Sequence, residues 1–127
     1  MAINSVQFTA TPRMVVAQVS TANPSRDGTG TIVDLITGVA AGTRINKITV
    51  KGIATTTAGM VRIFFFDGTN SRLYIEVTVN AITVGSAVET FSEEISFNDA
   101  NAPILASGSQ KLQASTHNAE TFNIIFY

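Results

Sequence analysis

The sequence predicts an all-β protein, a single-domain antiparallel β-sandwich. Strand-like runs recur at intervals of roughly ten residues, the spacing that is typical of sandwiches and barrels. No segment shows a sustained helical period, and residues 61–79 (VRIFFFDGTNSRLYIEVTV) have the pattern of a β-hairpin. The count of eight runs fits an eight-stranded jelly roll most simply. An immunoglobulin-like sandwich is the alternative, weakened because the 127-residue chain lacks the Cys and Trp that usually mark its core.

The predicted strands are residues 14–20, 31–37, 44–53, 58–67, 72–79, 88–97, 110–116 and 121–127. The first (MVVAQVS) ends at a loop, residues 21–30, which is rich in Pro, Asp and Gly. The second (TIVDLIT) is closed by Gly38. In the third (RINKITVKGI), Ile48 and Val50 alternate with polar residues, but Ile45 breaks the alternation. We therefore expect a bend or bulge at that residue.

The fourth and fifth strands form the hairpin around Asp67-Gly68-Thr69-Asn70. Glycine can take a positive φ in such a turn, and Asx side chains bond their own backbone. Apolar and polar positions alternate in both arms, so each arm is expected to be half-buried. In the sixth strand, Glu93 interrupts the apolar face, so its carboxylate is expected at a sheet edge or beside a partner.

The seventh strand (QKLQAST) is expected to point Leu112 and Ala114 inward. The eighth (TFNIIFY) carries apolar residues at both parities, so we expect both of its faces to be covered. The connections 80–87 and 98–106 contain Gly, Ala and Pro and are expected to hold at most one turn of helix. Together the strands define one domain, residues 14–127, preceded by an N-terminal arm, residues 1–13, that we expect to become ordered on assembly.

The charge of the chain is unusually low. Charged residues make up 13% of it, against about 25% in a typical domain, and the net charge is −1. Such a surface repels other proteins weakly, which favours lasting contact with partners. Among eight basic residues only Arg44, Lys47 and Lys51 cluster, so no nucleic-acid partner is expected. With no secretory signal and no apolar run near the ~18 residues of a membrane helix, we expect synthesis in a cytoplasm and no membrane partner.

The sequence offers little for catalysis. His117 is the one histidine and the only candidate general base, with Ser115 and Glu120 nearby in sequence, but no nucleophile motif surrounds them. Glu93 and Glu94 are adjacent on a strand and so point to opposite faces, which rules them out as a glycosidase pair. We therefore expect no enzyme, no catalytic residues, no cofactor and no metal site.

The hairpin supplies the candidate protein-interface residues. Phe64, Phe65 and Phe66 are consecutive, so strand alternation must place Phe65 opposite the other two. If the register of the hairpin is regular, one face carries Arg62, Phe64, Phe66, Arg72 and Tyr74. Exposed aromatics mixed with Arg are typical of protein interfaces. Two other interpretations remain open: that loops cover these rings, or that they form a platform on which a sugar stacks.

Three segments carry a resemblance to a known group. They are TTTAG (residues 55–59), DGTN (residues 67–70) and STHNAETFN (residues 115–123), within a match that spans roughly residues 13–126. With them the chain resembles small β-rich proteins from the structural gene clusters of tailed bacteriophages and prophages. No binding residues are defined for that group, so the resemblance implies none here.

The resemblance implies a virion component. Among small single-domain virion proteins this means first a head decoration or auxiliary capsid protein, with the major capsid protein as partner, self-association as a homotrimer and a place on the head surface. Two alternatives stay open: a tail, neck or fibre-base structural protein, and a carbohydrate-binding module that takes a glycan partner and promotes adhesion.

Overall fold

A computed structural model describes residues 14–127, and over that range the protein is all-β with no helix. The ten strands are β1 (Val15–Val19), β2 (Val33–Thr37), β3 (Thr43–Arg44), β4 (Lys47–Gly52), β5 (Gly59–Phe66), β6 (Ser71–Val79), β7 (Ser92–Ser96), β8 (Ile104–Leu105), β9 (Lys111–Thr116) and β10 (Phe122–Phe126). Each of the eight predicted runs contains a strand, but the described residues form ten strands, two more than predicted. The predicted arm, residues 1–13, lies outside the described residues.

The strands form two four-stranded antiparallel sheets and one short ladder. Sheet I has the order β1-β10-β4-β7, sheet II has the order β2-β9-β5-β6, and β3 pairs with β8. The two sheets contribute to one shared hydrophobic core, so the fold resembles a β-sandwich. Every strand pair in the two sheets is antiparallel, as the sequence predicts.

Alternating side chains fill the space between the sheets. The fully buried core residues of β4, β5, β9 and β10 are Ile48, Val50, Val61, Ile63, Leu112, Ala114, Phe122, Ile124 and Phe126. Burying one large apolar side chain contributes about 1.5–3 kcal/mol. The inward positions predicted in the seventh run, Leu112 and Ala114, are therefore confirmed.

The break predicted in the third run occurs where it was expected. The backbone N–H of Ile45 donates to Pro103 O (3.1 Å), whereas that of Asn46 donates to Tyr127 O (2.8 Å). The chain thus leaves the β3–β8 ladder and joins sheet I within two residues, which divides the run into β3 and β4. Ile104 and Leu105 of β8 lie in the connection 98–106, where no strand was predicted.

A bulge shifts the register of the hairpin. Ile63 is opposite Ile75, but Phe64 is opposite Leu73, so Tyr74 is an extra residue on β6. Beyond a bulge the alternation of the bulged strand is reversed relative to its partner. Leu73 therefore shares a face with Phe64, while Arg72, directly opposite Phe65, lies on the other face.

The loop after β1 folds back across the outer face of sheet II. Asn23 organises it: its backbone N–H donates to Thr116 O (2.8 Å), and its buried amide Nδ2 donates to the carbonyls of Thr29 and Thr31 (2.9 Å each). Gly30 passes against this amide with φ +81°, a conformation that disfavours any side chain. We call residues 21–31 the covering loop.

The sixth predicted run is an edge strand. β7 covers only residues 92–96 and pairs with β4 alone, and Glu93 is exposed there. This confirms the sheet-edge alternative for its carboxylate. Among residues 14–127, no helix is long and apolar enough to cross a membrane.

Candidate interaction site

The five predicted interface residues do not share one face. Arg62 and Phe64 are buried, Phe66 is half-buried, and Arg72 and Tyr74 are exposed. The prediction of a common exposed face is therefore wrong, for two physical reasons. The bulge on β6 reverses the alternation beyond Tyr74, and the covering loop lies over Arg62 on the outer face of β5.

Arg62 lies in a charged cluster beneath the covering loop. Its side chain is only 2% exposed, and its Nε donates to Glu76 Oε2 at 3.0 Å. Arg26, from the covering loop, donates to the same oxygen at 2.5 Å. One carboxylate thus links a loop cation to a buried sheet cation. Arg26 first, and then Arg62, hold the pKa of Glu76 below its ordinary value.

Phe64 is completely buried on the same face. It is therefore unavailable to a partner. A loop contact is seen for its neighbour Arg62, whose Nη1 lies 3.5 Å from the carbonyl oxygen of Asn23. Phe66, near the end of β5, is partly exposed, and Lys111 Nζ lies 5.5 Å from its ring centroid. Lys111 also donates to Asp34 at 2.9 Å, which fixes the ammonium beside the ring.

An open groove lies beside the hairpin. Its volume is about 450 Å³, and it lies between the hairpin and the segment before and within β8. The lining residues are Phe65, Arg72, Leu73, Tyr74, Ala100, Asn101, Ala102, Pro103 and Ile104. Three large apolar side chains are exposed here: Leu73, Tyr74 and Ile104, the last at 61%. Partial burial raises the pKa of the Tyr74 hydroxyl. We call this set the hairpin groove.

Arg72 supplies positive charge to the hairpin groove. Its side chain is 65% exposed, and its Nε contacts Asp67 Oδ2 at 3.4 Å. The carboxylate of Asp67 mainly stabilises the turn, because its Oδ1 accepts hydrogen bonds from the backbone N–H of Asn70 (2.8 Å) and of Thr69 (2.9 Å). These two bonds lower the pKa of Asp67, and Arg72 lowers it further. The guanidinium is therefore paired through its Nε but largely exposed to solvent.

The basic cluster predicted from sequence is largely neutralised. Arg44 donates to Asp99 Oδ1 at 2.6 Å, and Lys47 Nζ lies 3.7 Å from Glu94 Oε2. The same ammonium lies 4.4 Å from the ring centroid of Tyr127. The geometry does not concentrate positive charge as a phosphate-binding surface requires.

His117 is not joined to the polar residues near it in sequence. Its Nδ1 is buried without a hydrogen-bond partner, as is the hydroxyl of Ser115. Glu120 instead accepts bonds from the backbone N–H and hydroxyl of Thr57 (2.9 and 2.6 Å). These three side chains therefore form no hydrogen-bonded relay. That the chain is not an enzyme stays a prediction.

Within the described part of the chain, no three His, Cys, Asp or Glu side chains are grouped as metal ligands would be. Asp27, in the covering loop, accepts hydrogen bonds from the hydroxyl (2.6 Å) and then the backbone N–H (3.1 Å) of Thr29, and these lower its pKa. Its carboxylate therefore stabilises a turn.

Sequence reasoning missed Phe65, Leu73 and Ile104 as members of the groove. The only available signal for Ile104 is the apolar run Pro103-Ile104-Leu105 inside a polar connection. No residue type marks the bulge at Tyr74, so Leu73 could not be placed from its parity.

Comparisons with known proteins give no family. No protein-family model matches the chain, and no curated protein is significantly similar to it.

Proposed function

We propose that this chain is a structural protein of a tailed-phage virion that binds the head surface as a decoration or auxiliary capsid protein. The resemblance of its sequence to phage structural proteins supports the assignment. The observation that carries the binding mode is the hairpin groove, where Leu73, Tyr74 and Ile104 are exposed beside the solvent-exposed guanidinium of Arg72. The partner is the major capsid protein or another virion protein.

The composition of the groove fits this role. Interfaces are enriched in aromatic residues and Arg at their centre, and a few such residues carry most of the binding energy. Tyr74 and Arg72 meet that description, and Ile104 adds apolar area. A protein present in many copies needs only modest affinity per contact, because contacts over a lattice add through multivalency.

The fold proposed for this role is a jelly roll. Its support is the strand order, in which β1-β10-β4-β7 faces β2-β9-β5-β6. Eight strands divided between two sheets by Greek-key connections are the arrangement of that fold. The β3–β8 ladder is then an addition at the end of the sandwich near the groove. The proposal includes self-association as a homotrimer on the head surface, after synthesis in the host cytoplasm.

A reconstitution experiment tests the binding mode. Particles that lack the protein are incubated with purified wild-type chain, with Tyr74→Ala and with Ile104→Ser, and the bound fraction is measured by co-sedimentation. Loss of a central interface residue costs at least about 2 kcal/mol, or roughly 30-fold in affinity. We expect that loss for both variants.

Thr78→Ala is the matched control, because Thr78 is also exposed on β6 but outside the groove. It should bind as wild type does. If wild-type chain fails to bind the particles, the head assignment is wrong. If it binds and all three variants bind equally, the groove is not the contact.

The tail, neck or fibre base is the alternative structural location. The copy number of the chain relative to the major capsid protein separates the two. Comparable copy numbers in purified virions support a head coat, and a copy number far below that of the capsid protein indicates the tail or neck.

Carbohydrate binding is a second candidate function, favoured by one observation. The hairpin groove places Tyr74, on which a sugar ring can stack, beside the polar side chains Arg72 and Asn101. Glycan binding that is lost in Tyr74→Ala would support this function. Absence of binding across a broad glycan array would reject it.

A further inference from the structure

Three of the four edge strands of sheets I and II carry devices that prevent pairing with another sheet. β2 contains an extra residue, Leu35, beside the charged Asp34. β6 has the bulge at Tyr74, and β7 exposes Glu93 and Glu94. Bulges and charges on edge strands are the usual means by which proteins block edge-to-edge association.

β1 has neither device. Its five residues, VVAQV, carry no charge, and its register with β10 is unbroken from Val15 to Val19. Val16 is 52% exposed, and the preceding Met14 is exposed as well. Within residues 14–127, no strand pairs with the side of β1 that faces away from β10. Among the described residues, this is the edge without a pairing strand or a protective device.

The hydrogen bonds of Tyr127 identify the backbone groups on that edge. Its N–H donates to Lys47 O (3.0 Å) and its carbonyl accepts from Asn46 (2.8 Å), so its backbone faces β4. Backbone groups alternate along a strand, and Phe126 therefore faces its β1 partner, Val15. By the same alternation Ala17 faces β10, whereas Val16 and Gln18 present their N–H and C=O groups to the free edge.

The free edge is complementary to itself. With a two-fold axis at Ala17, antiparallel pairing places Val16 opposite Gln18 of the second copy and Gln18 opposite its Val16. Both pairs expose outward backbone groups, so four hydrogen bonds form. Val15 meets Val19 on the core side of the sheet. At the axis lies a non-hydrogen-bonded pair, where Cα atoms approach to about 4.5 Å, and the small side chain of Ala17 suits that approach.

We propose that β1 is a self-association edge at which two copies of this chain pair antiparallel about a two-fold axis at Ala17. The two copies of sheet I become one continuous eight-stranded sheet. The same residues of both copies form the contact, so it is closed and does not propagate. The inference is independent of the proposed function, because it concerns a different edge from the hairpin groove.

A proline scan tests the edge with the full chain. Val16→Pro removes an N–H that faces the free edge and leaves the ladder with β10 intact, and edge strands tolerate proline at such positions. Ser92→Pro is the matched control, because Ser92 begins β7 at the opposite edge of the same sheet. Light scattering after gel filtration measures mass, and circular dichroism verifies folding.

Wild-type and Ser92→Pro proteins should have at least twice the 13.4 kDa mass of one chain. Val16→Pro should have half the wild-type mass. A wild-type dimer would become a monomer, and if the chain also forms trimers, a wild-type hexamer would become a trimer. A monomeric wild type, or an assembly that Val16→Pro leaves intact, would overturn the proposal.

A cysteine variant tests the register and does not depend on the proline. The chain has no cysteine, so Ala17→Cys introduces a single thiol. A Cα separation of about 4.5 Å at a non-hydrogen-bonded pair allows a disulfide. Mild oxidation should give a covalent dimer with Ala17→Cys and little with Thr78→Cys, whose residue lies on β6. Equal cross-linking of the two would contradict the register.

Discussion

At the scale of single residues, the buried Arg62 explains why a face of the hairpin cannot be assigned from alternation alone. The covering loop lies over Arg62. The backbone carbonyl that Arg62 contacts in this loop belongs to Asn23, which lies 39 residues earlier in the chain. A buried cation is tolerated only when a counter-charge accompanies it, and Glu76 provides one. The local sequence around β5 does not indicate this ion pair.

Phe64 gives the sharpest residue-level test of this burial. Phe64→Ala should lower the free energy of unfolding by about 3–5 kcal/mol, because it removes a ring that is completely buried. Tyr74→Ala, at an exposed position of the same hairpin, should cost about 0.5 kcal/mol or less. Urea denaturation measures both. Equal losses would show that Phe64 is as accessible as the sequence pattern predicts.

Glu76 should make stability depend on pH in a definite direction. Its pKa in the folded chain lies below the ordinary 4.5, so its contribution is present above that value and is lost as pH falls through the lowered pKa. Glu76→Gln should be less stable than wild type at neutral pH, because Arg62 loses its counter-charge. This difference in stability between the two proteins should become smaller in acid.

Thermal unfolding of both proteins across a pH series measures this gap. Asp27, Asp34 and Asp67 also have lowered pKa values and remain in both proteins, so only the difference between the curves reports Glu76. A gap that stays constant from neutral pH to well below 4.5 would contradict the role of the carboxylate.

At the scale of elements, the sequence predicts strands well and registers poorly. Each apolar alternation in the sequence is a strand, and Ile45 correctly marks the break between β3 and β4. The bulge at Tyr74 is invisible, because a bulge is decided by how β6 packs between β5 and the segment before β8. β8 is two residues long, too short for an alternation to be recognised.

The turn of the hairpin should depend on Gly68. Its φ is +101°, a conformation that costs a residue with a Cβ about 1–2 kcal/mol. Gly68→Ala should lower the free energy of unfolding by that amount. Gly85→Ala is the control, since Gly85 has no positive φ and a Cβ there would meet nothing within 4 Å. Chemical denaturation should separate the two variants, and identical stabilities would contradict this account of the turn.

At the scale of the whole molecule, the two candidate contact regions lie on opposite sides. β1 packs beside β2 at one edge of the two sheets, and the hairpin groove involves β6 at the other edge. Pairing through β1 therefore leaves the groove accessible. The sequence predicted an interacting β-protein with Arg72 and Tyr74 in the contact, but the groove itself depends on distant segments meeting, which no local pattern specifies.

The central claim is the proposed attachment of this β-sandwich to a phage head through the hairpin groove. Cryo-electron microscopy of the intact virion tests it most directly. The account predicts density for the two-sheet domain on the head surface, with Tyr74 and Ile104 against a capsid subunit. Density for the chain only at the tail, or on the head with the hairpin groove facing solvent, would contradict it.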